Sequence, residues 1–179
     1  MATTKKTKAR RAAERAAAKP SAHPEAARPQ DAIGLLEADH REVDGMFEKY
    51  EALQADADKL ALATQICLAL KVHTQIEEEL FYPPAREATG DTDLLDEAVV
   101  EHAGAKTLIV EIEAMRPGQP LYDAKVKVLG EQVRHHVEEE ETELFPEVRE
   151  TRIDLDALGA KLAARKAELM ALLAPAPPA

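Results

Sequence analysis

The chain has 179 residues, 45% of them hydrophobic and only 3% aromatic, with no Trp; that length suits one domain with a proper core, and the Ala, Leu, Glu and Lys/Arg-rich composition favours helices over sheet. Its formal charge of -11 divides unevenly: residues 1–30 carry eight Lys/Arg against Glu14 and Glu25, net +6, leaving 15 against 32, or -17, on the rest, an acidic body that attracts cations and disfavours nucleic acid or anionic membrane. The single Cys67 excludes an intramolecular disulfide, and no apolar run reaches transmembrane length or forms a signal-peptide core, so the sequence is read as cytoplasmic.

Residues 1–30 are Ala/Lys/Arg-rich, with Pro20, Pro24 and Pro29 and no large aliphatic after Met1. Such a stretch cannot bury enough area to offset ordering, so a disordered basic tail is expected. A first helix follows from Asp31 to about Ala55, with Ile33, Leu36, Val43, Phe47 and Leu53 on roughly one face and Asp31 as its cap. The second should run from about Asp58 to Ala88 with Leu62, Ile66, Leu70 and Ile76 inward, stopping at Gly90. The third starts at Thr92 or Asp93 and ends before Arg116-Pro117-Gly118; the fourth opens near Pro120 and runs towards Arg149. Pro83 and Pro146 are expected to kink or end the second and fourth helices. A fifth helix, Asp154 to about Leu173, places Leu155, Leu158, Leu162, Leu169 and Leu172 on one side before a Pro/Ala tail. The fold class is therefore all-α: an antiparallel up-down four-helix bundle over 31–150, with an extra C-terminal helix and tail over 151–179.

One stretch is written twice, His73-x3-Glu77-Glu78 followed by Phe81-Tyr82-Pro83, and His136-x3-Glu140-Glu141 followed by Leu144-Phe145-Pro146, at a constant offset of 63. On a helix, residues i and i+4 point the same way, so each copy aims an imidazole and a carboxylate together. That pair suits a borderline transition metal, and two copies imply two metals or one shared site. His40 lies about 16 residues before the first turn and His73/Glu77 about 16 to 20 after it; His102 and His136/Glu140 straddle the third turn likewise. All four helices thus bring a histidine to one layer. Membership of that level set outweighs the ordinary reading of His40 or His102 as a lone core histidine. Glu78 and Glu141 fall about 100° round from the ligand glutamates, on the solvent side or behind the ligands, and His135 is off the face by the same step.

With Asp39-His40-Arg41 and Glu101-His102 added, these residues resemble the hemerythrin-like, HHE cation-binding domains over 31–150. The resemblance implies a four-helix bundle holding two non-haem iron ions, with His40 and His73 on one, His102 and His136 on the other, and Glu77 and Glu140 bridging. The oxygen-carrying members have His-x3-His on the third helix and His-x4-Asp on the fourth; here Lys106 stands four after His102, and Glu140 takes the carboxylate position. That loss of an imidazole points away from reversible oxygen carriage and towards reaction with, or sensing of, O2, peroxide or NO. The alternative is a non-catalytic iron-binding or structural bundle whose tail or fifth helix contacts a partner. Glu37 and His40 also form the Glu-x-x-His spacing of ferritin-like proteins, but position 99 is Val, so no matching motif accompanies His102. Phe81, Tyr82 and Phe145 read as core, although Tyr50, Tyr82 or Tyr122 near the centre would be able to ligate iron, and Cys67 reads as an inert core thiol. For the basic tail, solubility is the leading reading and nucleic-acid contact the minor one.

Overall fold

Capping decides where the rods begin. In the computed structural model, which describes residues 30–90 and 92–174, the Asp31 carboxylate accepts the Gly34 N–H at 2.7 Å and opens α1, Ala32–Ala52. The second helix, α2 (Asp56–Ile76), begins with Asp56 and Asp58 against the positive end of its dipole. It runs through a π turn at Glu77–Phe81 into α3 (Tyr82–Thr89), which stops at Gly90 in the left-handed conformation, φ 75°. Helix α4 covers Asp93–Glu113. A second long rod joins α5 (Tyr122–Glu139), a π turn at Glu140–Leu144 and α6 (Phe145–Arg149). Finally α7, Leu155–Leu173, is capped by Asp154, whose side chain accepts the Ala157 N–H at 3.0 Å. The expected basic tail lies outside the described residues.

Short connections fold α1, the 56–89 rod, α4 and the 122–149 rod into an antiparallel up-down bundle. Among the described residues there is no strand, and no helix is long and apolar enough to cross a membrane. Two boundary expectations are refined. Neither Pro83 nor Pro146 ends its rod, because the π turn ahead of each absorbs it: Tyr82 N–H bonds Glu77 O and Phe145 N–H bonds Glu140 O, i to i-5, and each proline falls in the first turn of the next α segment, where no N–H is required. The fourth helix also starts at Tyr122 rather than Pro120, because Leu121 takes φ 72° and cannot continue a right-handed turn.

The core is split into two clusters. One, around Ile33, Leu36, Ile76, Phe81, Leu95, Leu144 and Phe145, fills the end near α3 and α6; the other, around Phe47, Ile66, Leu70, Ile109, Tyr122 and Leu129, fills the opposite end. Helix α7 lies on α1 and α2 and adds Leu158, Leu162 and Leu169 to the first cluster. Leu155 is half-buried against it, whereas Leu172 is exposed, so the expected apolar stripe stops short. The approach of α7 is close: a Cβ on Gly159 would stand 2.7 Å from Gln30 O and 2.8 Å from Ala32 N.

Candidate metal centre

Each long rod places one imidazole where the two clusters meet. His40 falls between Leu36 and Val43, His73 between Leu70 and Ile76, His102 between Ala98 and Ala105, and His136 between Val133 and Leu144. All four, with Glu77 and Glu140, are buried. The i, i+4 spacing brings His73 Nε2 to 3.1 Å from Glu77 Oε2 and His136 Nε2 to 3.5 Å from Glu140 Oε2. The carboxylates then cross between halves: Glu77 Oε2 is 3.4 Å from His102 Nε2, and Glu140 Oε2 is 3.4 Å from His40 Nε2. Within each half the Nε2 atoms approach, at 3.1 Å for His40 and His73 and 3.0 Å for His102 and His136. Two imidazole pairs are thus tied by two shared carboxylates.

A second layer of acid faces the outer ring nitrogens. His40 Nδ1 lies 2.9 Å from Glu141, His102 Nδ1 3.0 Å from Glu78, and His136 Nδ1 2.8 Å from Glu101, while His73 Nδ1 approaches Asp39 at 3.7 Å. Such partners orient an imidazole so that Nε2 points at a metal and raise its basicity. Asp39, Glu78, Glu101 and Glu141 each serve the histidine of the next rod round the bundle: His73, His102, His136 and His40 in turn. Because each π turn begins at the inner glutamate, both acids of the Glu-Glu pair face protein: one meets the Nε2 atoms, its neighbour a distant Nδ1. Two lysines close the outer layer. Lys106 bonds both oxygens of Glu78 at 2.6 Å, and Lys166 of α7 pairs with Asp39.

Charge and hydrogen bonding both leave a place for cations. Glu77 Oε1 and Oε2, Glu140 Oε2 and His73 Nδ1 are buried without an aligned hydrogen-bond partner. Six carboxylates, at positions 39, 77, 78, 101, 140 and 141, face two ammoniums, leaving four negative charges, the charge of two divalent ions. Of the six, Glu77 and Glu140 are buried, and burying their charge without compensation would cost several kcal/mol per ion. Without metal, the cluster redistributes protons. Burial opposes a charge on His73, but Glu77 and Asp39 beside it outweigh this and lift its pKa to about 10. Burial and the neighbouring His136 hold His102 down at about 2. Glu77 is raised by burial and by Glu140; Glu140, although burial opposes its charge, is drawn down to about 2 by His40 and His136. Once the imidazoles are deprotonated, nitrogen and anionic oxygen donors together suit a borderline divalent metal, so the residues fit a bound cation.

Tyr82 is not simply core. Its hydroxyl donates to Glu140 Oε1 at 2.9 Å and stands 3.3 Å from His102 Nε2, and its ring stacks on His102 at 5.6 Å. At the corresponding place in the other half Phe145 stacks on His40 at 5.8 Å. The mismatch at offset 63 was the available signal. Tyr50 and Tyr122 belong to the far cluster, where the Tyr50 hydroxyl donates to Asp123. Burial and the Glu113 carboxylate push the Cys67 thiol up to about 12, so it is inert. His135 is 62% exposed, and Glu37 pairs with Arg41 and Arg149 at the surface rather than entering the centre.

The Hemerythrin HHE cation binding domain family model matches residues 31–148. The chain is 30% identical over 115 residues to a DNA nickase of Nostoc sp., an alignment covering 64% of this chain and 32% of that protein, so the chain spans about a third of its length. Its fold superposes with a TM-score of 0.69 on a hemerythrin HHE cation binding domain-containing protein from Mycobacterium kansasii, 24% identical, over 80% of this chain and 89% of that one. With two thirds of its length matched by one family and its helices arranged as in a solved relative, the chain belongs to the hemerythrin HHE cation-binding domain family.

Proposed function

We propose that the protein is a non-haem di-iron protein that reacts with or senses O2, peroxide or NO. His40 and His73 would hold one iron and His102 and His136 the other, with Glu77 and Glu140 shared. The observation that carries this reading is the crossing of the two buried carboxylates between the two imidazole pairs, an arrangement with a bridging position for each glutamate. Iron held there by nitrogen and oxygen donors would supply one-electron chemistry and open positions for a small ligand.

The protein side of that chemistry lies in the chain's own residues. Val43, Leu70, Ala105, Val133 and Val137 wall one side of the centre with apolar surface, around a small cavity of about 20 Å³ that the four histidines also line. The Tyr82 hydroxyl, beside His102, donates its proton to Glu140, and burial with Glu77 and Glu140 keeps that proton bound far above the ordinary phenol range. A cleft of about 220 Å³ between α1, α2 and α7, with Met46, Leu68 and Met170 on its walls, reaches His73 from outside and admits a small molecule. The buried, protonated Cys67 accords with a reducing compartment such as the cytoplasm. The -17 charge on residues 31–179 opposes a phosphate backbone, so the activity named for the Nostoc relative is not carried to this chain.

Metal analysis of anaerobically purified protein should find about two irons per chain, six ligand side chains serving two ions of the geometry common to iron. Stopped-flow addition of O2, peroxide and NO to the reduced protein should change the iron absorption with at least one of the three. Spectra unmoved by all three would leave a non-catalytic iron binder, and saturation by one zinc would remove the di-iron reading.

A further inference from the structure

We propose a peripheral divalent-cation site on the flank of the bundle, formed by Glu101 of α4 with His135 and Glu139 of α5. His135-x3-Glu139 repeats the His-x3-Glu spacing of the buried pairs one residue earlier, so it presents the same donor pair about 100° round the rod. His135 Nε2 stands 3.4 Å from Glu139 Oε1 and 3.8 Å from Glu101 Oε1, and the three ligand atoms lie within 4.8 Å of one another. Those separations are long for hydrogen bonds. Two ligands at about 2.1 Å from one tetrahedral ion would stand roughly 3.4 Å apart, close to what is seen. Glu101 divides its oxygens: Oε2 takes His136 Nδ1 at 2.8 Å, while Oε1 faces outward to His135.

The internal repeat supplies independent support for a cation here. On the other half, the acid equivalent to Glu101 is Asp39, which faces His73 Nδ1 with one oxygen and pairs with the Lys166 ammonium through the other. At the offset of 63 from His135 and Glu139 stand Val72 and Ile76, buried in the cluster that α7 completes. Where α7 covers the bundle, a fixed ammonium compensates the outer acid beneath it. Where the flank is open, an imidazole and a second carboxylate stand in its place, the donor set for a mobile cation. An ion there sits one carboxylate away from His136.

The test uses the full chain with its buried centre saturated, Zn2+ as the probe, and equilibrium dialysis with zinc and iron both counted. His135→Ala and Glu139→Gln are surface changes outside the buried centre. Wild type should take up one more zinc per chain than His135→Ala, or bind it at least tenfold tighter, with iron content equal in the two; Glu139→Gln should weaken the same step. The difference is read regardless of what fills the buried centre. Equal zinc binding by wild type and His135→Ala would overturn the proposal, as would zinc uptake matched mole for mole by iron release.

Discussion

Replacing Glu77 with Met should make the metal-free protein more stable and the metal-loaded protein less so. Glu77 is fully buried, and neither of its oxygens has an aligned hydrogen-bond partner. Desolvating such a charge costs several kcal/mol, only part of which the His73 contact at 3.1 Å returns, so its removal should release about 2 kcal/mol. For a domain of this size, about 2 kcal/mol corresponds to a rise in Tm of roughly 4–8 °C. The burial that raises the Glu77 pKa sets the pH dependence. A carboxyl whose folded pKa lies above its unfolded value of 4.5 contributes stability below that pH and loses it as pH rises through the folded value. The advantage of Glu77→Met over wild type should therefore widen as pH rises. Metal reverses the order, because an ion at a thousandfold excess over its Kd adds about 4 kcal/mol to a protein that binds it only when folded. Calorimetric melts of both proteins, metal-free and iron-loaded, between pH 4 and 8 check the whole scheme. A metal-free Glu77→Met that melts below wild type, or equal stabilisation of both by iron, would refute the reasoning that this carboxylate is kept for an ion.

Two further outcomes follow from position alone. His136→Ala should lose or scramble one iron, with a fall in affinity of tenfold or more, whereas His135→Ala should leave iron per chain and its absorption unchanged; the reverse pattern would mean that α5 is rotated by about 100°. Gly159→Ala should destabilise by about 1–3 kcal/mol, because its Cβ would meet the backbone of residues 30–32, and a thermal melt unchanged from wild type would show that α7 is free to shift.

Much of the bundle was legible because period and repeat act on the backbone directly. Apolar spacing at 3.6 residues marked five helices, and counting from the turns levelled His40, His73, His102 and His136, since rise per residue is nearly constant. The same arithmetic failed where the backbone departs from i, i+4. The two π turns keep the prolines inside their rods; of the two places open to Glu78 and Glu141, solvent side or behind the ligands, they take the second, on Nδ1 atoms of His102 and His40. Leu121 was opaque for a related reason: only glycine advertises a left-handed residue, and here a leucine adopts it. Lys106 looked like the absence of a ligand, yet lying one turn after His102 lets it hold the acid behind that ring. Lys166 could not be placed at all without knowing over which flank α7 folds.

The two proposed metal positions, alike in the inner ligands assigned to them, should not bind alike. Tyr82 donates its proton to Glu140 Oε1 beside His102 Nε2, whereas Phe145 offers nothing polar to His40. An ion on the His102 side must take His102 Nε2 from that contact, and a hydrogen bond between neutral groups is worth about 0.5–1.5 kcal/mol. Since about 1.4 kcal/mol is a factor of ten, the second position should bind about two- to tenfold weaker on this account. Repulsion between two ions would also separate the steps, so spacing in wild type alone decides nothing. Tyr82→Phe decides it, because it makes the second half a copy of the first while leaving repulsion untouched. Titration of metal-free protein with ferrous ion under anaerobic conditions should show two steps in wild type that draw together in Tyr82→Phe. If the variant keeps the same spacing, the hydroxyl does not compete with metal, and the inequivalence must be sought in Lys166 and the flank that α7 covers.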